Sequence, residues 1–208
     1  MYGRFMPPPE LAQISEIYDF LYLSGAHPVQ TRRMRNLGIT NIINATMEVS
    51  DLRSPGLTTM HIYIDDSPYA KISPYFDKCA KLIHDVKARG GKTLVHCIAG
   101  VSRSASLIMA YLIKYQSMSL RQAYDFLKTK REIVHPNTGF FRQLITFERE
   151  VRGAASVAIV RTPWGAMPSM YKKEIEEWQQ AYARALPAVR CAPRRTSPGR
   201  KIVKKQQK

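Results

Sequence analysis

Residues 93–104, Thr-Leu-Val-His-Cys-Ile-Ala-Gly-Val-Ser-Arg-Ser, constrain the fold of this chain more than any other stretch. Thr93, Leu94 and Val95 read as a short buried strand. After Cys97 come five residues with Gly100 at their centre, and an apolar helical pattern then begins at about Arg103 and runs to Tyr115. A strand that stops in a tight loop and returns as a helix is the building block of a parallel sheet with helices packed on its faces. The alternation recurs along the chain. Residues 18–23 (YDFLYL) read as a strand ended by Ser24-Gly25, and 28–37 as a short amphipathic helix closed by Gly38. Residues 40–45 and 59–64 read as strands. Ser73 as N-cap, with Pro74 at the first helical position, opens a helix whose apolar face includes Phe76, Cys79, Ile83 and Val86 and which Gly90-Gly91 ends. Further helices are predicted over 119–131 and 140–151. A strand at 157–160, the run Thr162-Pro163-Trp164-Gly165 and a helix over 169–185 follow as an extension. The pattern predicts an α/β fold, with a central, mostly parallel twisted sheet flanked by helices, and shows no internal repeat.

In such folds chemistry gathers at the C-terminal edge of the strands, which is where Cys97 is delivered. The loop Ile98, Ala99, Gly100, Val101 and Ser102 is short enough to turn its backbone N–H groups inward as an anion-binding nest, and the helix start adds unpaired donors and a dipole. Arg103 offers a bidentate fork for two phosphate oxygens, which Lys could not reproduce. The same positive potential is expected to keep Cys97 a thiolate near neutral pH. A thiolate facing a bound phosphoryl group is a nucleophile in line for displacement at phosphorus. A lone cysteine is more often structural, but His, Cys, Gly, Arg and Ser/Thr at fixed spacing have a chance expectation of roughly one in ten thousand for a chain of this length, at about 1/20 per residue type.

Charge needs to be located before it is interpreted. The chain has 208 residues with a formal net charge of +16, which invites a nucleic-acid or anionic-membrane reading. Residues 1–150 hold 19 basic and 13 acidic side chains, whereas 151–208 hold 13 and 3. From Pro187 onward there are eight basic side chains and no acid. That segment lacks apolar periodicity and reads as a disordered tail, either simply solvated or a nuclear-localisation or polyanion-binding element. Three cysteines make no disulfide framework. The first ten residues lack an apolar signal core, Tyr2 stands where myristoylation requires Gly, and the longest apolar run, 107–113, is too short to cross a bilayer. An intracellular chain, cytoplasmic and/or nuclear, is expected. The organisation is 1–13 as an N-terminal segment, 14–152 as the catalytic domain, 153–186 as the extension and 187–208 as the basic tail.

HCIAGVSRS, with AYL soon after, resembles the signature His-Cys-x5-Arg-Ser/Thr of the cysteine-based protein tyrosine phosphatases, and within them the dual-specificity phosphatases. The resemblance runs from about Ile14 to Arg152 and includes YLSGA (22–26), NIINAT (41–46), SPYFDKCAKLIHDV (73–86) and REIVHPNTGFFRQL (131–144). The extension, with TPWG followed by a Tyr, is similar to the atypical small members, in particular the fourteen/eighteen/twenty-one subgroup. The resemblance implies a phosphatase-type phosphate-binding loop between strand and helix and a phosphocysteine intermediate on Cys97. It implies that Arg103 binds phosphate, that Ser104 stabilises the leaving thiolate and that His96 orients the loop. Asn137 matches a position that braces the phosphate loop; the alternative is an ordinary turn Asn after Pro136. The chemistry also needs a proton donor on a movable loop upstream. Asp65 and Asp66 are the candidates, and the family's spacing of ten residues before the Phe of the Tyr-Phe pair selects Asp66. Two steps are expected, without cofactor or metal: attack by Cys97 with Asp66 as acid, then hydrolysis with Asp66 as base.

The leading function is therefore hydrolysis of phosphotyrosine and phosphoserine/phosphothreonine in proteins. A phosphoinositide phosphatase would be expected to place Lys or Arg inside the loop, and 98–102 contain neither. The same interior argues against an RNA 5'-phosphate substrate. A phosphate-binding pseudoenzyme or scaffold would be expected to have lost Cys97, Arg103 or the acid, and all three are present. Phosphorylated proteins are the expected partners, MAP kinase pathway members by family analogy alone, with polyanions or import machinery for the tail.

Overall fold

A computed structural model describes residues 8–162, 165–172, 174, 176, 177 and 180. Its contacts divide the chain into two units, Met1–Lys172 and Lys173–Lys208, and every element below lies in the first. The order is α1 (Pro9–Ala12), β1 (Ile14–Tyr18), β2 (Leu21–Ser24), α2 (Thr31–Leu37), β3 (Asn41–Asn44), β4 (Thr58–His61), α3 (Phe76–Ala88), β5 (Thr93–His96), α4 (Arg103–Tyr115), α5 (Leu120–Lys130), α6 (Thr138–Arg152), β6 (Ile159–Thr162) and β7 (Gly165–Pro168). Five strands form one sheet in the order β1-β2-β5-β3-β4. Only the β1–β2 pair is antiparallel. The mostly parallel α/β architecture read from the sequence is what is found.

β5 is central, paired with β2 on one side and β3 on the other. All four of its residues are buried, as expected of a parallel strand covered on two sides. Leu94 joins Tyr22, Met34, Ile39 and Ile42 in a cluster against α2. On the opposite face lies α4, whose residues from Arg103 to Ile113 are all buried, so it fills the space between the sheet, α3, α5 and α6. Each large aliphatic side chain so enclosed contributes about 1.5–3 kcal/mol, and the charged start of α4 is held in place by that anchorage.

Several elements depart from the sequence reading. The run 18–23 is the hairpin β1–β2, turned at Asp19-Phe20. Tyr18 and Phe20 stack 5.4 Å apart across the turn, so aromatic residues that read as strand sit at its corner. Ser73 is no N-cap: residues Ser73–Tyr75 form a 3-10 turn without a side-chain cap of their own before α3 begins. The strand expected at 157–160 is displaced to β6, which pairs with the unexpected β7, while Val157 is buried as an anchor. Gly38 does close α2 in the left-handed conformation, and Ser119 caps α5 in a capping box with Gln122. The helix expected over 169–185 starts as a 3-10 turn, Ser169–Tyr171; most of the remainder, like the tail 187–208, lies outside the described residues.

Candidate active site

Between β5 and α4 the chain makes a cup whose orientation is set from outside. Four successive carbonyls each meet an external donor. The Ala26 N–H donates to Ile98 O at 3.0 Å and the His135 N–H to Val101 O at 2.9 Å. Arg131 donates from Nη2 to Ala99 O at 2.8 Å and from Nε to Gly100 O at 2.9 Å. A peptide is planar and trans, so turning a carbonyl outward turns the next N–H inward. The N–H groups of residues 99–102 are thereby aimed into the cup, as an anion nest requires. The Gly100 N–H is seen there, 3.2 Å from Cys97 Sγ.

Glycine is required where the cup touches the sheet. Gly100 has φ +69°, and a Cβ on it would sit 2.5 Å from the Ser24 carbonyl carbon. A Cβ on Gly25 would lie 2.8 Å from Ile98 O. The Ser24-Gly25 pair that ends β2 is thus the surface on which the loop rests.

Cys97 is buried at the mouth of β5, and the Ser104 hydroxyl, 3.2 Å from its sulfur, is a second donor beside the Gly100 N–H. His96 is also buried, with Nδ1 3.4 Å from Cys97 O, and burial pulls its imidazole down to about 4. It is therefore neutral at ordinary pH. Cys79 is the contrast: wholly enclosed on the core side of α3, its thiol is pushed up to about 12 by burial, which leaves it inert.

Arg103 reaches across the cup. Its Nη1 donates to Ile64 O at 3.0 Å and to Glu48 Oε2 at 3.1 Å. Its Nε is buried without a hydrogen-bond partner, and Asp66 Oδ2, at 4.0 Å, is too far to be one. Protein thus holds the guanidinium at Nη1 and leaves Nε without a hydrogen-bond partner. Partial burial pushes the Glu48 carboxyl up, but the hydrogen bonds from Arg103 and the Met47 N–H, with the Arg103 charge, outweigh it and hold it below the usual range.

Of the two neighbouring acids, Asp66 is the one held over the cup. Its Oδ1 accepts from Ser102 Oγ at 2.6 Å and from Asn137 Nδ2 at 2.8 Å. Both acids are exposed, and it is the contacts with Ser102 and Asn137 that set Asp66 apart from Asp65. Asn137 does more than either sequence alternative foresaw: its Oδ1 caps α6 through the Phe140 N–H, its own N–H donates to Ser102 Oγ, and its amide nitrogen grips Asp66. The loop that carries Asp66, expected to be movable, is fastened at several points in this conformation.

Three contributors escaped the sequence reading. Arg131 lies inside a quoted motif, yet nothing local marks it as the clamp on Ala99 and Gly100; burial lowers its guanidinium and the nearby Cys97 charge opposes that. Glu48 carries no periodic signal. Tyr171, in the extension, donates to Pro136 O at 2.7 Å and stacks on His135 at 3.9 Å, beside the segment that presents Asn137. Of the five large hydrophobic side chains exposed among the described residues, Met47, Tyr63, Tyr69 and Ile98 lie within a few positions of site residues in sequence, and Met47 and Tyr63 line a cavity together with the charged Glu48, Asp51 and Arg53.

Comparison with known proteins agrees with this geometry. A family model described as dual specificity phosphatase, catalytic domain, matches residues 21–150. Human dual specificity protein phosphatase 14 is 40% identical, over 84% of this chain and 88% of its own. Human dual specificity protein phosphatase 18 is 39% identical, over 80% and 89%. Among solved structures, human DUSP28 aligns at a TM-score of 0.65 and 25% identity, over 71% of this chain and 97% of that one. DUSP15 aligns at 0.60 and 27%, over 67% and 95%.

Proposed function

The chain belongs to the dual-specificity phosphatase family, as a small atypical member and a protein phosphatase, and from that premise we propose how its residues divide the reaction. The observation that carries the reading is the convergence of two donors, the Gly100 N–H and the Ser104 hydroxyl, on the Cys97 sulfur at the floor of an inward-facing nest. Phosphate sits in the nest against the Arg103 Nε side, an arrangement that stabilises charge spread over the equatorial oxygens in the transition state. The Cys97 thiolate attacks phosphorus in line, the P–O bond to the substrate breaks, and Asp66 gives its proton to the departing oxygen. Water then attacks the phosphocysteine, Asp66 takes the water proton, and the P–S bond breaks with Ser104 donating to the returning thiolate.

A polypeptide substrate suits the mouth. Met47, Tyr63, Tyr69 and Ile98 offer apolar contact to residues flanking a phosphorylated side chain, and the loop interior adds no cation for a second phosphate. Pseudoenzyme, RNA 5'-phosphate and phosphoinositide readings are not favoured. Family analogy supports MAP kinase pathway proteins as substrates, with action in the cytoplasm and/or nucleus. The tail 187–208, by its charge, supports contact with polyanions or import machinery. We further assign 14–152 as the catalytic domain and 153–186 as its extension. No helix among the described residues is long and apolar enough to cross a membrane.

The test pairs Cys97→Ser with Asp66→Ala. Cys97→Ser should abolish turnover of phosphotyrosyl and phosphothreonyl peptides, with or without divalent metal. Asp66→Ala should retain phosphopeptide binding while turnover falls about 100-fold or more. Turnover surviving Cys97→Ser would overturn the reading.

A further inference from the structure

We propose that Gln143 is the positioning residue that sets the proton donor, by strapping the loop that carries Asp66 along the first two turns of α6. The proposal rests on Asp66 being the acid, as assigned above. Three contacts occur at intervals along the loop. At its start, Asn137 Nδ2 holds Asp66 Oδ1 at 2.8 Å. Two residues on, a Cβ at Gly139 would lie 1.8 Å from Pro68 O, so the loop lies directly on the helix backbone and only glycine permits it. At its end, one side chain makes four hydrogen bonds. Gln143 Oε1 accepts from the Ile72 and Ser73 N–H groups, both at 2.9 Å, while Nε2 donates to Ala70 O at 2.9 Å and Gly139 O at 3.2 Å.

Those partners settle the amide's orientation, because both donors lie at one end of it and both carbonyls at the other. Gln143, about seventy residues later in the chain, thus serves the N–H groups at the start of the 3-10 turn, while the Tyr75 and Phe76 N–H groups that a Ser73 cap would have bonded donate to Ile72 O and Ser73 O instead. Since Gln143 and Asn137 project from one rigid helix, loop and acid are registered against the same element that positions Ser102 through the Asn137 N–H. Gln143 is far enough along the loop to touch no reacting atom, so its effect on catalysis passes through Asp66. Proton donation matters in proportion to how poor the leaving group is, whereas the cup and Cys97 serve every ester alike.

This separates positioning from general support. kcat/KM is measured for dinitrophenyl phosphate, a good leaving group, and for phenyl phosphate, a poor one, in the wild type, Gln143→Met, Asp66→Asn and the double variant. Methionine keeps the side chain's length and removes all four hydrogen bonds. The expected result is a loss of about 10–100-fold on phenyl phosphate and within about twofold on dinitrophenyl phosphate, with the basic limb of the pH–rate profile flattened. Gln143→Met should cost nothing further in the Asp66→Asn background. Gln143→Glu, which keeps the acceptor for Ile72 and Ser73, should recover part of the loss. Equal losses on both esters, or losses that multiply with those of Asp66→Asn, overturn the strap. If Asp66→Asn itself shows no leaving-group dependence, the acid assignment fails first and the strap falls with it. Should Gln143→Met not fold, Gly139→Ala displaces the same loop independently and must show the same selective loss.

Discussion

His96 stands directly before Cys97 and carries no charge at ordinary pH. The ring is buried and neutral, with Nδ1 near the Cys97 carbonyl. Folding keeps it neutral at a cost that depends on pH. The unfolded imidazole takes its proton near 6.5 and the folded one only near 4, so between those values the unfolded chain binds more protons. The contribution is therefore fully present above about pH 6.5 and is lost as pH falls toward 4, by up to on the order of 3 kcal/mol. Urea denaturation at pH 7 and pH 5 should show a fall in stability that His96→Asn makes smaller. An unchanged fall would assign the pH dependence to other groups. Arg131 makes a parallel point: a buried guanidinium whose fork spans two adjacent carbonyls does work on the loop that a single ammonium could not.

At the scale of elements, the phosphate loop is a five-residue bridge whose shape is imposed by its neighbours. It rests on the end of β2 through Gly25 and Gly100, is pulled outward by Arg131 and His135, and is carried into α4 by Ser102, Arg103 and Ser104. Gly100→Ala meets two penalties together, a positive φ and a Cβ against the Ser24 backbone. It should destabilise the protein by about 2 kcal/mol or more. It should also weaken inhibition by inorganic phosphate and lower kcat/KM on every ester alike, since the nest serves all of them. Thermal unfolding with steady-state kinetics checks this. A loss restricted to poor leaving groups would place the fault in the acid loop instead.

At the scale of the molecule, the family model ends at residue 150 but the packing does not. The β6–β7 hairpin returns the chain to α6, Met167 and Tyr171 are buried, and Tyr171 meets Tyr124, Phe141 and His135. Glu148, buried in α6, accepts from the Leu120 and Ser156 N–H groups and so joins the start of α5 to the extension. Tyr171 donates to Pro136 O, one residue before Asn137, so the extension is tied to the segment that holds Asp66. Tyr171→Ala should destabilise the protein by about 3 kcal/mol and lower kcat on phosphopeptides, whereas removal of residues 187–208 should leave kcat/KM unchanged. Equal activity loss in the two variants would show that the tail, too, belongs to the machinery.

Ten consecutive residues, 95–104, were enough to nominate Cys97, Arg103 and Ser104 as one candidate site, because strand, loop and helix bring them together through local geometry, and the Ser104 hydroxyl does lie beside the Cys97 sulfur. The alternation of strand and helix patterns likewise predicted the sheet, since apolar periodicity is a local property. The choice of Asp66 over Asp65 needed the family's spacing, and its geometry is a tertiary matter: adjacent residues look alike in sequence, and only Ser102 and Asn137 distinguish them. Arg131, Gln143, Glu48 and Tyr171 were invisible in these roles for the same reason. Each acts on a backbone group or side chain more than thirty residues away, and a polar side chain's partner leaves no periodic trace in its own neighbourhood. The sequence alone determined the fold class and which residues are candidates for the chemistry; the tertiary structure decided how they are held, because holding depends on hydrogen bonds between segments that only folding brings within reach.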